Sequence, residues 1–201
     1  NDSIEKYSVI RSYQAVDRAD VCLLVIDGTE GVTEQDTKIA GYAHEQGKAV
    51  ILVVNKWNLI EKDDKTSAVM EKKIRSELLF LQYAPMIFVS AMTKQRVHKL
   101  IDMINFGVEQ NNLRISTSVL NEVIRDAMQL NPPPSDKGKR LKIYYATQSG
   151  VRPPTFVLFV NEPEIMHFSY ERFLENKIRE AFGFRGTSLK FFIRERKEKE
   201  Q

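Results

Sequence analysis

Asn55-Lys56-Trp57-Asn58 and Ser90-Ala91-Met92 are the residues of this chain best placed to do chemistry. Each follows directly on an apolar run, Ala49-Val50-Ile51-Leu52-Val53-Val54 before the first and Ile87-Phe88-Val89 before the second. Such runs read as buried strands, and open α/β sheets bind ligands at the carboxyl ends of their strands. One Asn-Lys tetrapeptide after a strand is equally a simple turn. Two loops of this composition, 35 residues apart and both at strand ends, point to a nucleotide-type site. The remaining reactive side chains offer less. His44, His98 and His167 have no metal-like spacing to one another, and together with Cys22 they give no hydrolase triad. Cys22 sits inside an apolar run, where it reads as a small buried hydrophobe.

The elements that must carry the two loops alternate. Val21-Cys22-Leu23-Leu24-Val25-Ile26 is a further apolar run, ending at Asp27-Gly28. An unbroken run of this kind is expected to be covered on both faces, as in a parallel sheet. Thr33 with Asp36 three residues on is close to a capping box. It predicts a helix with Ile39, Ala40 and Ala43 facing the core, stopped at Gly47. A charged helix is predicted from about Thr66 to Leu79. Another is predicted from about Gln95 to Val108, with Val97, Leu100, Ile101 and Ile104 on one face. Order β-α-β-α-β-α implies a parallel sheet with helices on both faces. Val21–Ile26 is too apolar for an open edge, so a strand outside this sequence is expected beside it. The absence of an initiator Met fits that expectation of a fragment.

Residues 109–116 are polar and read as a linker, dividing a first domain, 1–111, from a second, 112–201. The second begins with a helix over Thr117–Leu130, its core face carrying Leu120, Val123, Ile124, Ala127 and Met128, ended by Asn131-Pro132-Pro133-Pro134. Asp136-Lys137-Gly138 reads as a turn. Strands are predicted over Leu141–Thr147 and Thr155–Val160. A helix capped by Ser169 should run to Phe182 with Phe173, Leu174, Ile178 and Ala181 buried, followed by a strand over Leu189–Ile193. The order is α-β-β-α-β. Tyr144, Tyr145, Phe156, Phe159, Phe191 and Phe192 are read as core in preference to stacking platforms.

Composition bounds the class. Of 201 residues, 42% are hydrophobic and 28% charged, as in a globular protein, and no apolar run approaches the roughly 20 residues of a membrane span. A single cysteine cannot close an internal disulfide, so a cytoplasmic location is expected. Residues 1–111 hold 14 Lys and Arg against 16 Asp and Glu, whereas residues 112–201 hold 16 against 11. The basic second part points weakly to a polyanionic partner. Lys137, Lys139 and Arg140 in its first turn and Arg194, Arg196 and Lys197 in its tail are candidate RNA contacts, though solvated charge accounts for each equally well.

The two loops resemble the base-recognition pair of Ras-like GTPases, an Asn-Lys-x-Asp loop and a Ser-Ala loop. Longer stretches extend the likeness. Glu5–Arg11, Glu34-Gln35-Asp36, Ile39–Ala43 and Asn55-Lys56-Trp57 resemble the second G domain of the Der (EngA) family, bacterial GTPases with tandem G domains and a C-terminal KH-like domain. Lys142–Gln148, Pro153–Phe156 and Met166–Asn176 resemble that KH-like domain. The resemblance spans essentially the whole chain. It implies a partial Ras-like (P-loop NTPase) sheet followed by an α-β-β-α-β KH-like domain. It implies GTP or GDP as ligand, with Asn55 on the base edge, the Lys56 stem along the base plane, the Ala91 N–H on the guanine carbonyl and Ser90 fixing the loop. Met92 closes that second loop. It also implies the large ribosomal subunit and its RNA as partners.

Asn58 departs from the family carboxylate. An amide presents a donor where the carboxylate accepts, and one donor facing another costs about 1–3 kcal/mol. Weakened guanine selectivity is expected. The sequence also holds no Gly-x-x-x-x-Gly-Lys-Ser/Thr phosphate loop and no Asp-x-x-Gly switch motif. Upstream segments are expected to supply both, together with the Mg²⁺ site, so this chain should be inactive in hydrolysis alone. Gly183-Phe184-Arg185-Gly186 fits the Gly-x-x-Gly pattern of KH domains, but it joins a helix to a strand and reads better as a helix-ending turn. A non-catalytic RNA-binding or protein-interaction module is the alternative.

Overall fold

A computed structural model describes residues 2–136 and 138–196, with side chains from Tyr7 onward. The chain forms two compact units, residues 1–111 with 185–188, and residues 112–184 with 189–201.

The first unit runs α1 (Asp2–Arg18), β1 (Val21–Asp27), α2 (Glu34–Glu45), β2 (Ala49–Asn55), α3 (Thr66–Glu77), β3 (Met86–Phe88) and α4 (Lys99–Asn111). The strands form a parallel sheet in the order β1-β2-β3, with Ile26 opposite Val54 and Val54 opposite Phe88. Strand alternation sends Leu24, Ile26, Val50, Leu52 and Val54 to one face, against Ala40 and Ala43 of α2 and Ile74 of α3. Ile51, Val53, Ile87 and Val89 face the other way, against Leu100, Met103 and Ile104 of α4. Helices therefore cover both faces, as the element order implied.

Thr33 caps α2 in a complete capping box, its side chain accepting from Asp36 N–H while the Asp36 carboxylate accepts from Thr33 N–H. Three expectations fail. β1 is not covered on both faces: Leu23 and Val25 remain 37% and 54% exposed, because β1 is the edge of the sheet and α4 reaches only its first residues. The helix expected from Gln95 starts at Lys99 instead. Lys94 and Arg96 adopt left-handed backbone, and the Ser90 N–H donates to the Gln95 carbonyl, so the chain turns twice before the helix can begin. Ile101 lies outside the core face, at 65% exposed.

The second unit runs α5 (Thr117–Leu130), a two-residue hairpin of β4 (Ser135–Asp136) and β5 (Lys139–Arg140), β6 (Ile143–Gly150), β7 (Thr155–Val160), α6 (Phe168–Phe182) and β8 (Lys190–Glu195). The sheet order is β6-β7-β8, antiparallel then parallel. Leu120, Ile124 and Ala127 of α5 and Leu174 and Ile178 of α6 bury one face of it, with Phe156, Leu158 and Val160 at the centre. Apart from the small hairpin this is the α-β-β-α-β order read from sequence. α6 is entered through His167, not capped by Ser169, and Ala181 is exposed. Gly183 ends α6 with a positive φ of 94°, its N–H bonded to the Arg179 carbonyl, and Phe184 behind it is fully buried.

Candidate nucleotide-base site

β2 and β3 deliver the two loops to the same rim. The Val89 N–H donates to the Val54 carbonyl at 2.8 Å, and the Trp57 N–H donates to the Val89 carbonyl at 3.0 Å, so pairing continues past the strands into the loops. Trp57 is 4% exposed and packs on Phe88 at 4.5 Å between ring centroids, anchoring the first loop in the core. Lys56, with φ of 60°, makes the sharp left-handed turn out of β2. The Ala91 N–H donates to Asn55 Oδ1 at 3.0 Å. The Ser90 hydroxyl donates to Asn58 Oδ1 at 2.7 Å and accepts from the Thr93 N–H at 3.2 Å. Ser90 is fully buried, Asn55 and Asn58 are half-buried, and Ala91 and Met92 are exposed at the rim. All six residues singled out from the sequence thus belong to one pair of touching loops.

Lys56 shows something sequence reasoning missed. Its ammonium is 2.5 Å from Asp27 Oδ2, at the end of β1. Asp27 also accepts from the Thr29 N–H and hydroxyl at 2.9 and 2.7 Å. The Lys56 hydrogen bond, and then those from Thr29, hold the Asp27 carboxyl down at about 2, while Asp27 raises the Lys56 ammonium. Gly28 makes this approach of β1 to β2 possible. Its N–H donates to the Asn55 carbonyl at 2.9 Å, and a Cβ there would stand only 2.8 Å from that oxygen. Asp27-Gly28, closing an apolar run at the same rim as Asn55, was the available signal.

The arrangement can bind and orient a flat polar heterocycle. It offers the Asn55 and Asn58 amides, the exposed rim at Ala91 and Met92, and a cation held in place by Asp27. No group of three His, Cys, Asp or Glu able to hold a metal exists among the described residues.

Four of the six RNA-contact candidates lie among the described residues. Lys139 is paired with Glu162 at 2.9 Å, which raises its pKa. The Arg140 side chain is exposed, and its carbonyl accepts from the Asn161 amide. Arg194 is exposed on β8, and the Arg196 guanidinium lies over the rings of Tyr144 and Tyr145, at 5.3 and 5.8 Å from their centroids. Lys137 and Lys197 lie outside the described residues. The aromatic expectation fails in part: Phe156 is core, but Tyr145 is 38% and Phe192 52% exposed.

A parallel sheet with paired Asn-Lys and Ser-Ala loops at its carboxyl rim, followed by a small two-helix, three-strand unit, defines a Ras-like nucleotide domain joined to a KH-like one. Residues 6–110 match the Elongation factor Tu GTP binding domain family, and residues 114–194 match the KH-domain-like family of EngA bacterial GTPase enzymes, C-terminal. The chain belongs to the GTPase Der (EngA) family. It is 61% identical over 196 residues to GTPase Der of Desulforamulus reducens, covering 98% of this chain and 45% of that protein. It is 61% identical over 195 residues to GTPase Der of Alkaliphilus metalliredigens, covering 97% and 44%. The chain therefore spans less than half the length of these relatives. A crystal structure of Era with MgGDPNP and a segment of 16S ribosomal RNA aligns at a TM-score of 0.43 and 19% identity, covering 91% of this chain and 68% of that one.

Proposed function

We propose that this chain is the base-reading half of a G domain joined to an RNA-facing KH-like domain, in a GTPase of large-subunit ribosome assembly in the cytoplasm. The observation that carries the reading is the pair of cross-loop hydrogen bonds, Ala91 to Asn55 and Ser90 to Asn58, which make one site of two strand-end loops. In this reading Asn55 bonds the purine edge, the Lys56 stem lies along the ring, the Ala91 N–H reaches the base carbonyl and Asn58 sets selectivity. The Met92 side chain, exposed beside them, borders the base. The ligand is GTP or GDP. Segments upstream of Asn1 pair with β1 and bring the phosphate loop, and hydrolysis needs them. The described residues do not fit a magnesium ion, since Asp27 is engaged by Lys56 and no metal-competent cluster exists among them. Mg²⁺ belongs with the phosphate-binding segments.

The experiment is a titration of fluorescent GDP, XDP and ADP into the chain and into the protein extended upstream, with GTP hydrolysis assayed in both. Binding of guanine and xanthine nucleotides over adenine, and hydrolysis only in the extended protein, are expected. Hydrolysis by the chain alone contradicts the division of labour, and binding of ADP as tight as GDP removes the base site. By itself the chain serves as a non-catalytic RNA-binding or protein-interaction module, a second reading favoured by the absence of a phosphate loop from its sequence.

A further inference from the structure

We propose that the outer face of the β6-β7-β8 sheet is a stacking platform for single-stranded RNA. Strand register sets the face. Phe156, Leu158, Phe191 and Ile193 point to the helices, so their neighbours point away. Tyr145 on β6 stands opposite Phe159 on β7, their rings stacked at 4.4 Å with 15° between planes. Phe159 in turn stands opposite Arg194 on β8, and Phe192 lies two residues back on that strand, 52% exposed. Arg196, past the end of β8, lays its guanidinium against Tyr145, and Lys190 opens the same strand on the same face.

A cross-strand aromatic pair alone would be explained by sheet stability. Three further observations point to a ligand. Phe192 adds a large ring that the sheet does not bury. Lys190, Arg194 and Arg196 have no carboxylate partner among the described residues, in contrast to Lys139 and Glu162. None of the residues pointing outward on the three strands is acidic. Apolar rings beside cations that no described carboxylate pairs, with no acidic residue among the described outward-facing positions, match a chain of bases on a charged backbone, and every base has a face that can stack. A protein partner fits less well, because a protein surface covering this face would have to neutralise three cations. The segment Gly183-Phe184-Arg185-Gly186 does not compete for the role, since Phe184 is fully buried and Gly183 ends α6.

The proposal rests on the RNA-facing reading of the KH-like domain and locates it on the sheet. The test is fluorescence anisotropy of a labelled 12-nucleotide single-stranded RNA titrated with the full 201-residue chain at several salt concentrations, beside a duplex of the same length. Phe192→Ala and Tyr145→Ala should each weaken single-strand binding about tenfold with the salt slope unchanged. Arg194→Ala with Arg196→Ala should weaken it and flatten the slope of log K against log salt by about 1.4. Thermal melts by circular dichroism keep folding separate, and Phe192→Ala, the most exposed of these rings, is the variant least able to disturb it. Binding that survives every variant, or duplex bound as tightly as single strand, overturns the platform and leaves the RNA-facing reading intact. No binding of either RNA by the unaltered chain overturns both.

Discussion

Ala91 gives its backbone N–H to Asn55 Oδ1 at 3.0 Å, so one side chain at the end of β2 holds the backbone that follows β3. Asn55→Ala removes the only side-chain acceptor described for that N–H. Ala91 is exposed and water can replace the amide, so the stability cost should stay near the low end for a hydrogen bond, about 0.5–1 kcal/mol. Nucleotide binding should fall more than tenfold, because both the base contact and the loop geometry are lost. Urea unfolding and a fluorescent-GDP titration on the same variant check the two numbers; unchanged GDP binding would count against Asn55 as a base ligand.

Asn58 presents an amide where two acceptors suit guanine. Its oxygen already takes the Ser90 proton at 2.7 Å, which leaves the amino arm as its other polar group. Asn58→Asp keeps the Ser90 bond and replaces a donor by an acceptor. The ratio of GDP to XDP affinity should rise by about 5- to 150-fold, the equivalent of 1–3 kcal/mol. Competition between the two nucleotides measures it, and an unchanged ratio would place Asn58 away from the base.

The Asp27–Lys56 pair makes a prediction in pH. Lys56 and then Thr29 hold the Asp27 carboxyl at about 2, below its ordinary 3.8. A carboxyl whose pKa is lowered on folding contributes stability above its unfolded value, and that contribution disappears as pH falls through the folded value. The window therefore runs downward from about 4 to about 2. Lys56 is shifted upward, so its share is present below its ordinary 10.5 and lost as pH rises beyond it. A carboxyl-carbon NMR titration should give Asp27 a midpoint near 2, moving toward 4 in Lys56→Met. An ordinary midpoint in the unaltered chain would show that the pair does not hold in solution.

Asn121 on α5 carries out a task usually left to a strand. Its amide oxygen accepts from the Ala146 N–H and its amide nitrogen donates to the Ala146 carbonyl, both at 2.8 Å, along the free side of β6. Asn121→Leu leaves both groups of a fully buried residue unpaired. A loss of about 2 kcal/mol in urea unfolding, with the slope unchanged, is expected. A loss below about 0.5 kcal/mol would show that water satisfies them.

Elements that rest on local pattern were legible in the sequence. The apolar runs became β1, β2 and β3, Thr33 and Asp36 closed their capping box, and the amphipathic stretch Thr117–Leu130 became α5. Loops at strand ends were legible for the same reason, since strand order dictates which rim they share. What failed depended on backbone states that side chains announce poorly. Lys94 and Arg96 turn left-handed without being glycine, which delayed α4. The ion pair from Lys56 to Asp27 joins residues of two strands, and no local pattern encodes it. The exposure of Tyr145 and Phe192 could have been read. Tyr144-Tyr145 and Phe191-Phe192 are adjacent pairs, and a strand with one covered face cannot bury both members.

Among the described residues no strand pairs with the outer edge of β1, which leaves one row of its backbone N–H and C=O groups without a neighbouring strand, flanked by the largely exposed side chains of Leu23 and Val25. That combination is a template for sheet growth, because a second copy of Val21–Asp27 can add alongside with no Lys or Pro in the strand to discourage it. Kept alone at high concentration, the chain is poised to polymerise from its folded state, without first unfolding. A strand supplied beside β1, as the proposed upstream segments would supply it, then acts as a guard against aggregation as well as a piece of the sheet.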